Sequence, residues 1–117
     1  MKTFHKIIVA LVLILSVTVS AQSTNKVTKT VKIYGNCGMC KKNIETAGGQ
    51  KNVAKVQWDT ETKMATLVFN PAKTNQEEIL KRIAAAGYDS ESHKAPDAAY
   101  DSLHGCCQYD RVAKKQK

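Results

Sequence analysis

Cys37 and Cys40 stand two residues apart in the stretch YGNCGMCKKN, residues 34–43, between a Gly-Asn turn and two lysines. Thiols at this spacing support three chemistries: clamping a soft metal ion, thiol–disulfide exchange, or half of a closed structural zinc site. A second pair, Cys106 and Cys107, is adjacent in sequence and follows His104 by two residues.

Sulfur-only donor sets favour Cu(I) and discriminate by softness against oxygen-seeking ions. Cys40 is expected in the first turn of a helix, where unpaired backbone N–H groups and the positive end of the helix dipole favour an anion. Lys41 and Lys42 add positive charge, and the combination should lower the thiol pKa values, which serves a ligand and a redox nucleophile equally well. A closed four-cysteine zinc site is poorly matched, because its ligand pairs normally have two to four residues between them and Cys106 and Cys107 have none. Cys106, Cys107 and His104 are instead candidates for additional ligands folding back on the loop, or for a separate soft-metal site. The competing reading leaves His104 solvated and the adjacent cysteines structural or disulfide-bonded. Met39 fits a loop or packing role, with weak thioether ligation as the lesser alternative. Asp59, Glu61, Glu77 and Glu78 fall at a turn and a helix start, so no paired-acid catalytic constellation emerges and no enzyme is expected.

The elements that must position these residues follow from the hydrophobic pattern. VTKTVKIY from Val27 alternates as a half-buried strand, and residues 38–47 repeat apolar positions at Cys40, Ile44 and Ala47 as a helix closed by Gly48 and Gly49 in a left-handed cap. VAKVQW and MATLVF, joined by DTETK, predict a hairpin with Trp58 on a half-buried face. Thr74 and Glu77 form a capping box for a second helix whose stripe is Ile79, Leu80 and Ile83 and whose end is Gly87. Residues 88–94 complete the series as an edge strand, and His93 reads as surface polar. The order is βαββαβ, an α+β, ferredoxin-like sandwich with an antiparallel four-stranded sheet and two helices on one face. A short helix is expected around 97–103.

The first 21 residues carry Lys2, His5 and Lys6, an apolar run from Ile7 to Leu15, and small residues ending at Ala21, the order of a secretory signal peptide. The run falls short of the roughly 20 apolar residues a spanning helix needs, so no stable membrane insertion is expected after cleavage. Of 117 residues, removal of 21 leaves 96, one domain, and takes Lys2 and Lys6 from a formal charge of +8 to leave +6. The lysines are scattered without interleaved aromatics, which argues against nucleic acid. The division expected is 1–21 signal peptide, 22–94 domain and 95–117 extension, in a periplasmic or secreted chain.

With Cys-x-x-Cys between the first strand and first helix of a βαββαβ chain, residues 28–93 resemble the heavy-metal-associated domain family of copper chaperones, periplasmic mercury-binding proteins and ATPase modules. The motifs carrying the resemblance are VKIYGNCGMCKKNIE, the hairpin, and AAAGYD at the end of the second helix. The resemblance implies Cys37 and Cys40 as metal ligands and Tyr88 facing the metal loop, with Lys41 and Met39 as supporting residues. It implies Cu(I) as cargo, with Ag(I), Hg(II) or Zn(II) as alternatives, and transfer to a metal-transporting ATPase or another metal-binding protein. A monomer is expected, with a metal-bridged dimer as the alternative an open two-thiolate loop permits. The family's loop reads GMxCxxC, whereas Gly35 occupies the methionine's position here. Nothing about the tail follows from the family, and thiol–disulfide exchange at Cys37 and Cys40 remains the second reading.

Overall fold

The alternating apolar residues of the first and third strands meet across one ladder. The computed structural model describes residues 25–111, with β1 at Val27–Lys32, α1 at Gly38–Gly48, β2 at Ala54–Trp58, β3 at Met64–Phe69, α2 at Gln76–Ala85, α3 at Asp97–Asp101 and a 3-10 turn at Gly105–Cys107. The three strands are antiparallel in the order β1-β3-β2. Register places Val31 opposite Ala65 and Trp58 opposite Ala65 from the other side, so one sheet face carries Val31, Ala65 and Trp58 together. That face joins Ile44 of α1 and Ile79, Leu80 and Ile83 of α2 in a single core. Each such aliphatic side chain, fully buried, contributes about 1.5–3 kcal/mol. The result is an α+β arrangement of three strands and two main helices, compatible with the ferredoxin-like sandwich. Among the described residues no helix is long and apolar enough to cross a membrane. The expected signal peptide over residues 1–21 lies outside the described residues.

Local details depart from the sequence pattern for identifiable reasons. The expected fourth strand is reduced to one bridge, Ile33 with Ser90, and a bond from the Tyr34 amide to the Asp89 carbonyl at 2.8 Å. Beyond it the chain turns back, because the Ser90 amide bonds the His93 carbonyl and the Ser90 hydroxyl accepts from the His93 amide. The N-cap of α2 is Asn75, whose side chain accepts from the Glu78 amide at 2.9 Å, while the buried Thr74 donates its hydroxyl to the Glu78 carboxylate. The cap is therefore Asn75, one residue later than expected, and the Glu78 side chain reaches back to the Thr74 hydroxyl rather than to the cap amide of a full capping box. Gly49 ends α1 in extended rather than left-handed backbone. Gly48 is needed for closeness instead: a Cβ there would lie 2.6 Å from Val56 Cγ2 and 2.9 Å from Ile83 Cδ1. Gly87, at φ 110°, does take the conformation that glycine alone adopts cheaply.

Residues 95–111 are built into the same core rather than trailing from it. Tyr100, Cys107 and Tyr109 are buried there. The Tyr109 hydroxyl accepts from the Asp89 amide at 2.7 Å and donates to the Gly87 carbonyl at 2.8 Å. Its ring stacks on Tyr34 and Tyr88 and meets Tyr100 edge-on. Two residues on, Arg111 is 1% exposed and grips both oxygens of Asp89 at 2.9 Å, with further bonds to Asp97 and the Ala95 carbonyl. Replacing Arg111 by Met leaves the Asp89 carboxylate buried without its cation. Urea denaturation should show a loss of about 3–5 kcal/mol, and Arg111→Met with Asp89→Leu should recover part of it.

Candidate metal centre

The loop between β1 and α1 rests on Trp58. A Cβ at Gly35 would come within 3.1 Å of the Trp58 ring and 3.3 Å of Cys40 Cβ, so the indole occupies the space that a side chain at position 35 would claim. Trp58 is 2% exposed, more deeply buried than its strand pattern suggested, and its indole N–H donates to the Ile33 carbonyl at 2.9 Å. Lys63, in left-handed backbone at φ 65°, lays its ammonium 5.3 Å from the Trp58 ring and donates to the Asn36 carbonyl. The loop is thus held from below by an aromatic plate and at its side by a lysine.

On this base the two loop sulfurs lie 3.8 Å apart. Cys37 is the N-cap of α1 and half-buried, whereas Cys40 is inside the helix, fully buried and directed into the core. The third sulfur is that of Cys107, also fully buried, 4.0 Å from the Cys37 sulfur. The sulfurs of Cys37, Cys40 and Cys107 all lie within 4.8 Å of one another. A disulfide requires about 2.05 Å, and all four cysteines are free thiols.

The tail cysteines divide. Cys106 is exposed, with its sulfur 4.0 Å from that of Cys107 and outside the three-sulfur group. Its backbone carbonyl does serve the site, accepting from the Asn36 amide side chain at 3.2 Å and from the Cys37 thiol at 3.7 Å. His104 is exposed and gives only its carbonyl, to the Cys107 amide. Met39 is 44% exposed. Lys41 runs away from the thiols to pair with Glu45 and to donate to the Trp58 carbonyl at 3.0 Å, so its role is to tie α1 to β2. Burial of Glu45 opposes its charge, but Lys41 and the Trp58 amide outweigh it and hold the carboxyl below the usual range. Tyr88 is fully buried and accepts from Asn43 at 3.0 Å; burial raises its pKa far above the ordinary phenol value.

The charge effect of the helix start falls on Cys37, one turn earlier in the pattern than the expected Cys40. The geometry falls short of a formal capping bond, but the Cys40 and Met39 amides face the Cys37 sulfur and bring its pKa down from near 9 to about 7. Cys107 moves oppositely: burial, then its neighbour Cys40, pushes it up to about 12. The cluster therefore combines a Cys37 thiol that ionises near neutral pH with a Cys107 thiol that burial holds protonated there.

The class this arrangement defines is a small α+β fold with a thiol cluster at the start of its first helix. Among solved structures the chain is similar to one described as a CopZ metallochaperone, at 21% sequence identity and a TM-score of 0.50, over 55% of this chain and 98% of that one. That likeness establishes the fold. No family model matches the chain, and no curated protein matches it.

Trp58, Asn36, Tyr109 and Arg111 were not singled out from the sequence as parts of the site. Gly35 in place of the family's methionine was the usable signal for Trp58, since a side chain removed beneath a loop must be replaced by another. Alkylation with mass mapping tests the two thiol environments: Cys37 should reach half its limiting rate near its pKa of about 7, and Cys107 should resist labelling to about pH 10 in the folded chain. Matching profiles for the two would contradict the arrangement.

Proposed function

We propose that this chain is a non-enzymatic, exported binding protein for a soft metal ion, acting as metallochaperone or scavenger through Cys37 and Cys40. The observation that supports it is the convergence of free sulfurs 3.8 Å apart at the start of α1, on a fold shared with a metallochaperone. Cu(I) is the favoured cargo because an all-sulfur donor set selects it, with Ag(I), Hg(II) and Zn(II) as weaker competitors. The cation replaces protons on the thiols, so binding is linked to proton release and strengthens as pH rises through the Cys37 pKa of about 7. Transfer to a metal-transporting ATPase or another metal-binding protein proceeds by thiolate exchange, in which each new metal–sulfur bond replaces an old one and the ion keeps its oxidation state.

Thiol–disulfide exchange is the second reading, and the acidic Cys37 thiol is what favours it. Against it, the motif sits on an antiparallel sheet of order β1-β3-β2 rather than in the β/α context in which such exchange motifs normally occur. Titration of the reduced protein with Cu(I) against a competing chelator should give one tightly held ion per chain. Cys37→Ser or Cys40→Ser should each weaken it on the order of 100-fold. Unchanged affinity in both variants, or catalytic insulin reduction lost in Cys37→Ser, would replace the metal reading with the redox one.

A further inference from the structure

We infer that Cys107 is a third ligand to the same ion and that residues 95–111 form a retention latch, turning an open loop pair into a three-sulfur site. The inference rests on the soft-ion reading of Cys37 and Cys40 and adds what neither the loop motif nor the structural likeness supplies. That likeness covers 55% of the chain, and the Cys-x-x-Cys motif says nothing of the tail.

Geometry carries the first step. With a metal–thiolate bond of about 2.3 Å, sulfurs opposed across a two-coordinate ion lie about 4.6 Å apart, and those around a planar three-coordinate ion about 4.0 Å apart. The Cys37 sulfur is 3.8 Å from Cys40 and 4.0 Å from Cys107, so both separations match three-fold coordination. Cys40 and Cys107 close the triangle within 4.8 Å. Small side-chain rotations bring three sulfurs onto one centre.

The tail's construction carries the second step. Tyr109 and Arg111 follow Cys107 by two and four residues, and each is fixed by buried hydrogen bonds to the Gly87–Asp89 stretch. On the other side, Asn36 and the Cys37 thiol bond the Cys106 carbonyl, so the 3-10 turn is pinned over the loop from both directions. A segment placed only to cover the core would be served by an aliphatic residue at position 107. Here a thiol is buried against two others, while the adjacent Cys106, of identical chemistry, is turned out to solvent.

The consequence is a site with no vacant trigonal position. A partner's thiol takes the ion by displacing a resident sulfur, and Cys107 is the one that leaves, by rotation of its side chain on a backbone that stays anchored through Tyr109 and Arg111. Its metal bond breaks as the incoming one forms, the proton of the incoming thiol passes to the Cys107 sulfur, and the ion's charge is unchanged. The latch therefore holds cargo against competitors and slows its release.

The test is X-ray absorption on the full-length reduced protein loaded with one equivalent of Cu(I), together with the rate of loss to a competing chelator. Wild type should show three sulfurs. Cys107→Ser should show two, with affinity lowered by at least the about 10- to 100-fold that follows loss of an outer-shell partner, since here a direct bond is removed. Its release should quicken by a similar factor, while Cys106→Ser should match wild type in all three readouts. Two sulfurs in the wild type, or equal effects of Cys106→Ser and Cys107→Ser, would overturn the latch and leave the loop-pair function standing. Failure of the wild type to take up Cu(I) would overturn both. Should Cys107→Ser not fold, the wild-type sulfur count decides alone.

Discussion

A buried carboxylate at position 89 must be held by something, and the way it is held organises the site. Asp89 follows α2 where the chain makes its one bridge to the end of β1, and its backbone carbonyl accepts from the Tyr34 amide just before the metal loop. Its side chain takes the Arg111 guanidinium in a two-pronged grip and also accepts from the Ala95 amide at 2.6 Å. Stripping water from both ions costs several kcal/mol each, and the pair is tolerated because the fork geometry and the added bonds to the Ala95 carbonyl and Asp97 satisfy the remaining donors. Asp97, largely exposed, contributes little of this. One residue thus anchors the strand leading into the loop and the tail lying over it, so the distance between Cys37 and Cys107 is set by a shared post.

Aromatic packing completes what the ion pair begins. Tyr109 has its hydroxyl fixed at Gly87 and Asp89 and its ring between Tyr34, Tyr88 and Tyr100, which leaves the preceding turn little freedom. The Arg111 guanidinium also lies 4.7 Å from the Tyr100 ring, a stacking contact available to arginine because its plane is weakly hydrated. Below the loop, Trp58 and Gly35 are complementary, a large plate under a residue without a side chain. The loop is clamped between an indole floor and a tyrosine-anchored lid.

What could be read from the sequence was whatever depends on neighbours in sequence. The period-two alternation around Val31 and in MATLVF, and the 3.6-residue stripe of Ile79, Leu80 and Ile83, report burial directly, and those elements stand where the pattern put them. The cap at Asn75 was displaced by one because Thr74 and Asn75 both offer a cap and a glutamate three residues on, and only packing around the buried Thr74 decides between them. The fourth strand was lost because the backbone amides of Asp89 and Ser90 go to the Tyr109 hydroxyl and the His93 carbonyl rather than to a ladder. The short tail helix stands at Asp97–Asp101, within the expected 97–103, but how the tail docks was illegible, because its turn is held by contacts 20 to 70 residues away in sequence. The adjacency of Cys106 and Cys107 counted against a closed four-cysteine zinc site because two neighbouring sulfurs seldom reach one centre, and the structure brings one of them, Cys107, to the loop pair.

The opposite pKa shifts of Cys37 and Cys107 explain how a thiol cluster can sit partly inside a core before any cation arrives. Three thiolates within 4.8 Å would repel one another in a medium that screens poorly. Burial keeps Cys107 protonated, while amides already oriented at the start of α1 favour ionisation of Cys37. The arrangement is preorganised in position and staged in charge: packing gathers the sulfurs, Cys37 ionises readily, and a charge on the buried Cys107 needs a positive ion to offset it.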